Sequence, residues 1–142
     1  MKLVVLILGV VSALVVASGA TAKEFRPGSL RICTHQRCVP IKNPRVLELL
    51  GAFFYTGRRS PAKIRSPQLG APAFQIQFEN GYVTGVVAGA RLDRFLSYGV
   101  DLGRFAPRQW YLFPKRVAQE MKTLSAPLNP LRLTRRMVAR SR

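Results

Sequence analysis

The sequence predicts an α+β fold: a small antiparallel sheet built from β-hairpins, with two main helices packed on one face. Three observations predict it. Phe74, Ile76 and Phe78 alternate with Gln75, Gln77 and Glu79; Asn80-Gly81 follows, and Tyr82 to Ala88 runs back. A period of two marks a half-buried strand, and Asn-Gly is the strongest short-range hairpin signal. Apolar residues recur at helical spacing after Asn43-Pro44 and again after Pro114. Helices separated from hairpins along the chain pack as their own layer against the sheet.

The chain opens with Met1-Lys2, an apolar run over residues 3–17 broken by Gly9 and Ser12, and a small-x-small exit, Ala20-Thr21-Ala22. Positive start, apolar middle and small-residue exit describe a secretory signal over residues 1–22, cleaved after Ala22. An uncleaved anchor is the rival. No charge interrupts residues 3–22, and a bilayer needs about twenty apolar residues. The expected location is secreted or extracytoplasmic, with anchoring by residues 3–22 as the alternative. Residues 23–125 are expected to form one domain, long enough for its own core.

Cys33 and Cys38 are the only cysteines. A close, even pair in an exported chain reads as a disulfide. Residues 30–34 and 37–41 form two short strands if the chain turns at His35-Gln36. Thr34 then faces Arg37 and Cys33 faces Cys38, at a non-hydrogen-bonded position where Cα atoms approach to about 4.5 Å. Zinc held by Cys33, His35 and Cys38 is the competing reading, but no second cluster completes a site, and His35 is the only histidine.

Asn43 and Pro44 suit the N-cap and first position of a helix. Val46, Leu47, Leu50, Phe53 and Phe54 give it an apolar face, and Gly57 suits its end. Residues 57–72 then hold Arg58, Arg59, Lys63, Arg65 and three prolines without an acid, which predicts a basic Pro/Ser-rich loop. In the hairpin that follows, a two-residue turn at Asn80-Gly81 pairs Phe78 with Val83, Ile76 with Gly85 and Phe74 with Val87, all on one face. Gly81, Gly85 and Gly89 make neither a membrane dimer motif nor a phosphate fingerprint. A side chain lying over Gly85 is expected instead.

Residues 91–98 are expected as a short helix with Leu92, Phe95 and Leu96 inward, and residues 109–113 as a strand. Pro114 starts the second main helix, with Val117, Met121 and Leu124 on one face. Pro127 and Pro130 then punctuate the chain ahead of Arg132, Arg135, Arg136, Arg140 and Arg142. Such a block predicts a disordered basic tail over residues 126–142. Leu131, Leu133, Met137 and Val138 leave open an amphipathic helix that forms on a membrane or polyanion.

A catalytic constellation is missing. A hydrolytic triad needs a free base, and His35 sits between the two cysteines. The acids Glu79, Asp93 and Asp101 are the weak catalytic candidates, for a hydrolase or transferase working near the sheet edge. Asp93 beside Arg91 and Arg94, and Asp101 beside Arg104, read better as ion-pair partners. No metal or cofactor is expected.

Charge carries the functional expectation. The formal net charge is +17, or +16 once Lys2 leaves with the leader, and arginine supplies 17 of the 23 basic residues. A field of that sign attracts polyanions, and guanidinium groups grip phosphate or carboxylate in pairs of bonds. The expected role is non-catalytic binding of an anionic polymer or membrane surface (envelope polymer, lipid head groups or nucleic acid). Arg58, Arg59, Lys63, Arg65, Arg132, Arg135, Arg136, Arg140 and Arg142 would make the contacts. A protein partner docking on the sheet edge or on an exposed Trp110 is a third expectation.

Overall fold

A computed structural model describes residues 25–55, 63–98 and 108–139. Its strands are β1 (Leu30–Cys33), β2 (Cys38–Pro40), β3 (Lys63–Ile64), β4 (Pro72–Phe78), β5 (Val83–Ala88), β6 (Arg94–Ser97), β7 (Trp110–Leu112) and β8 (Leu131–Arg132). Its helices are α1 (Pro44–Tyr55), α2 (Lys115–Ser125) and α3 (Arg135–Ala139). The strands form one antiparallel sheet in the order β2-β1-β4-β5-β6-β7-β3, with β8 beside β4. The α+β architecture is therefore the one the sequence predicts.

Both main helices lie on one face. Asn43 caps α1: its Oδ1 accepts from the backbone N–H groups of Arg45 (3.1 Å) and Val46 (3.4 Å). That satisfies donors a helix start leaves without partners. Val46, Leu47, Leu50 and Phe54 of α1, with Val117 and Met121 of α2, close over Ile32, Phe74, Ile76, Val87 and Phe95 of the sheet. Rings order this layer. Phe95 stacks on Phe113 at 5.1 Å and meets Phe54 edge-on at 5.4 Å, and Phe53 meets Phe113 edge-on at 5.3 Å.

The β4–β5 hairpin keeps the expected pairs Phe74–Val87 and Ile76–Gly85, then departs from the expected register. Val83 pairs with Gln77, not Phe78, and Thr84 is the extra residue of a bulge. The cause lies in the tip. Gly81 sits at φ +85° and donates to the Phe78 carbonyl, while the Phe78 N–H donates to the Tyr82 carbonyl. That is a three-residue loop closed by a left-handed glycine, which moves the far strand by one residue. Val83 consequently turns to the opposite face from Phe78.

Residues 91–98 are not a helix. Arg94–Ser97 is a strand between β5 and β7. Its Phe95 enters the helix-side core and Leu96 the other side. A strand buried on both faces loses the polar alternation that would identify it. The loop over 57–72 is shorter than expected, because Lys63–Ile64 pairs with β7 as an edge strand.

The largest departure is the basic tail. As far as Ala139 it is folded onto the second face of the sheet. Leu131–Arg132 pairs with Pro72–Ala73 on the same edge of β4 that β1 uses further along. Leu133 extends the contact, donating to the Ala71 carbonyl (2.9 Å) and accepting from the Gly70 N–H (2.8 Å). Its side chain is fully enclosed, packed with Ala73, Val86, Ala88, Leu96, Tyr98 and Trp110. Met137 and Val138 of α3 pack against the same cluster. The physical reason is that this face is apolar, and Leu131, Leu133, Met137 and Val138, spaced among the arginines, help to cover it. Among the described residues no helix is long and apolar enough to cross a membrane.

Candidate anion-binding face

The disulfide hairpin forms as expected. Cys33 is bonded to Cys38 with Cα atoms 4.1 Å apart, opposite each other in the β1–β2 ladder. Thr34 closes the turn: its N–H donates to the Arg37 carbonyl (2.8 Å), and its Oγ1 accepts from the N–H groups of Gln36 and Arg37. A bonded cystine has no thiolate to offer, so the zinc reading of Cys33, His35 and Cys38 falls. Among the described residues no group of three or more His, Cys, Asp or Glu side chains gathers anywhere.

The two described carboxylate candidates do not converge. Glu79 lies at the β4–β5 tip, exposed and paired with Arg26 at 3.5 Å. Asp93 lies in the β5–β6 connection, at the other end of β5. A six-residue strand separates the two turns by about 20 Å, against the roughly 5–9.5 Å of catalytic carboxylate pairs. Asp93 also lacks the expected arginine partner. Among the described residues it makes no ion pair, and the Arg94 guanidinium instead donates to the Arg65 carbonyl at 2.8 Å. Asp101 lies outside the described residues, as do Arg58, Arg59, Arg140, Arg142 and the side chain of Lys63.

What does converge is basic. Thr134 starts α3, its Oγ1 accepting from the Met137 N–H at 3.2 Å. With Leu133 plugged into the sheet and Met137 and Val138 turned inward, the arginines of this segment are left on the outside. Arg132, Arg135 and Arg136 are all exposed. They border a groove on each side of α3.

On one side, a groove of about 500 Å³ lies between α3 and the disulfide turn. His35, Arg132, Thr134 and Arg136 rim it, over a base of Gln75, Leu131 and Met137. Gln75 is held by its neighbour, accepting from the Gln77 amide at 2.9 Å. On the other side lie two hollows of about 340 and 300 Å³, which share Ser66, Arg108 and Val138. Arg135 borders the first, and Gln109 and Trp110 the second. Among the described residues no carboxylate lines any of the three.

Two features tie the face to the sheet. The Arg132 guanidinium donates to the Gly70 carbonyl at 3.3 Å, beside the β8 ladder. Arg108 adopts a left-handed backbone, φ +64°, while its N–H donates to the Ser97 carbonyl at 3.2 Å. For a residue other than glycine that conformation costs about 1–3 kcal/mol, and such strain gathers at functional sites. Arg65 is exposed nearby in sequence, but it borders none of these grooves.

Sequence reasoning missed Arg108, Gln109, Ser66 and the groove position of His35. Residues 66, 108 and 135 come together only through the β3–β7 pairing and the folding back of α3, and no local spacing announces that. Trp110 is buried, part of the second core and not an exposed docking residue. In comparisons with protein-family models, with characterised proteins and with solved structures, nothing matches this chain, so its chemistry is read from its own side chains.

Proposed function

We propose that this is an exported binding module that holds an anionic polymer or surface outside the cytoplasm without transforming it. One observation supports the reading above the others: Arg108, Arg132, Arg135 and Arg136 border grooves on one face, and among the described residues no carboxylate lines those grooves. Arginines scattered over a surface pair with nearby acids or with water. Here folding uses the apolar residues of the segment as fasteners and leaves its guanidinium groups facing outward. The hydrolase or transferase alternative has the separation of Glu79 from Asp93 against it.

Export is supported from two sides. The leader has the order of a secretory signal, and a disulfide persists in an oxidising compartment. Intact mass of the protein from its own host is expected to show 120 residues starting at Lys23, less two hydrogens for the cystine.

Binding is tested by titrating polyphosphate at 50 and 200 mM salt. Four arginine contacts predict a fall in affinity of about 100-fold over that range, from the release of counterions. An affinity that does not change with salt would overturn the proposal.

A further inference from the structure

The hollows on the Arg135 side of α3 have a feature that charge alone does not explain. They share Ser66, Arg108 and Val138, so they adjoin along one cleft. Gln109 lines it, and the Gln109 Oε1 is buried with no hydrogen-bond partner. A buried acceptor left empty is costly, and most find a donor. Phosphodiester and carboxylate groups are acceptors only and have no proton to give it. The last torsion of a glutamine is soft, so a small turn presents this oxygen to whatever occupies the cleft.

We infer that this cleft takes an acidic polysaccharide. The inference rests on the anion-binding reading and names its ligand class. Such a chain carries a carboxylate and hydroxyl groups on the same sugar. The carboxylate meets the Arg135 guanidinium, and a neighbouring hydroxyl donates to the Gln109 Oε1. The Ser66 hydroxyl serves a ring or glycosidic oxygen. A polyanion without hydroxyl donors satisfies the arginines and leaves Gln109 as it was.

The test uses the mature protein, with polygalacturonate and polyphosphate as probes at one salt concentration. Gln109→Met keeps the volume and removes the acceptor. It is expected to weaken polygalacturonate about fivefold to tenfold, the worth of one hydrogen bond, and to leave polyphosphate binding unchanged. Arg135→Gln, at an exposed position that folding does not need, is expected to weaken polygalacturonate. The charge-matched Arg45→Gln, on α1 across the sheet, is expected not to. If Gln109→Met leaves polygalacturonate binding intact, or weakens both polymers alike, the cleft reads charge only: the polysaccharide inference is overturned and the anion-binding reading stands. If Gln109→Met does not fold, equal losses for Arg135→Gln and Arg45→Gln overturn the inference. If the unaltered protein binds neither polymer, both readings fall.

Discussion

Gly85 has no side chain because Phe95 occupies the space where one would go. A Cβ built there would run into the Leu96 backbone carbonyl oxygen and lie 2.6 Å from the Phe95 ring, well inside contact distance. The ring cannot retreat, since it stacks on Phe113 and meets Phe54. Gly85→Ala is therefore expected to lower stability by about 1–3 kcal/mol, the range for an overfilled core. Chemical denaturation reads it as an earlier midpoint, and an unmoved midpoint would show that the ring gives way. The sequence makes a covered glycine at this position legible, from its place between Val83 and Val87. It does not say what covers it, because Phe95, Leu96 and Leu92 are also spaced as a helix would space them. Leu92 itself is held at φ +50° in the turn from Gly89. Its burial in the helix-side core offsets that strain, and propensity cannot foresee it.

Elements with one polar side were the readable ones. The helices α1 and α2 each bury one stripe, and β1 with β2 carries a cystine that fixes register, so period and spacing identify them. β6 has no polar side to betray it. β8 and α3 mislead in the opposite way, because a run rich in arginine has the composition of a solvated tail. Its hold on the sheet depends on one plug. Leu133 is enclosed by the second core, while Leu131, Met137 and Val138 are only half-buried. Leu133→Ala is expected to cost about 2–5 kcal/mol and to release β8 and α3 before the rest unfolds. Limited proteolysis should then cut near Thr134 at protease levels that spare the parent protein. Equal resistance of the two proteins would show that the ladder to Ala71 and Ala73 holds the segment without the plug. The candidate grooves should be lost with the segment, since α3 forms a wall of each.

At the scale of the whole molecule, the described residues form three layers: helices, sheet and a thin basic cover. The cover concentrates like charge where little opposes it. A net charge of +17 strains the compact state by self-repulsion, and salt relieves that strain within a distance of about 10 Å at 0.1 M. Raising salt from 20 to 200 mM is thus expected to raise the melting temperature by a few degrees, while the same change weakens polyanion binding. Calorimetric scans at the two concentrations check it, and a melting temperature that falls with salt would mean that attraction, not repulsion, dominates this surface. The opposite signs follow from one cause: a surface dense in like charge is more stable when counterions screen it.

β4 has one edge with two tenants. β1 pairs along its far half and β8 along its near half, the first and last strands of the described chain placed end to end. Time enters through that arrangement. A chain that emerges from its N-terminus forward can lay down β1 and the hairpins early, yet the second face stays bare until Leu133 has followed. No intermediate that lacks Leu133 can close it. If the chain is exported as proposed, the last pairing on this edge acts as a delay that ends only when Leu133 has crossed.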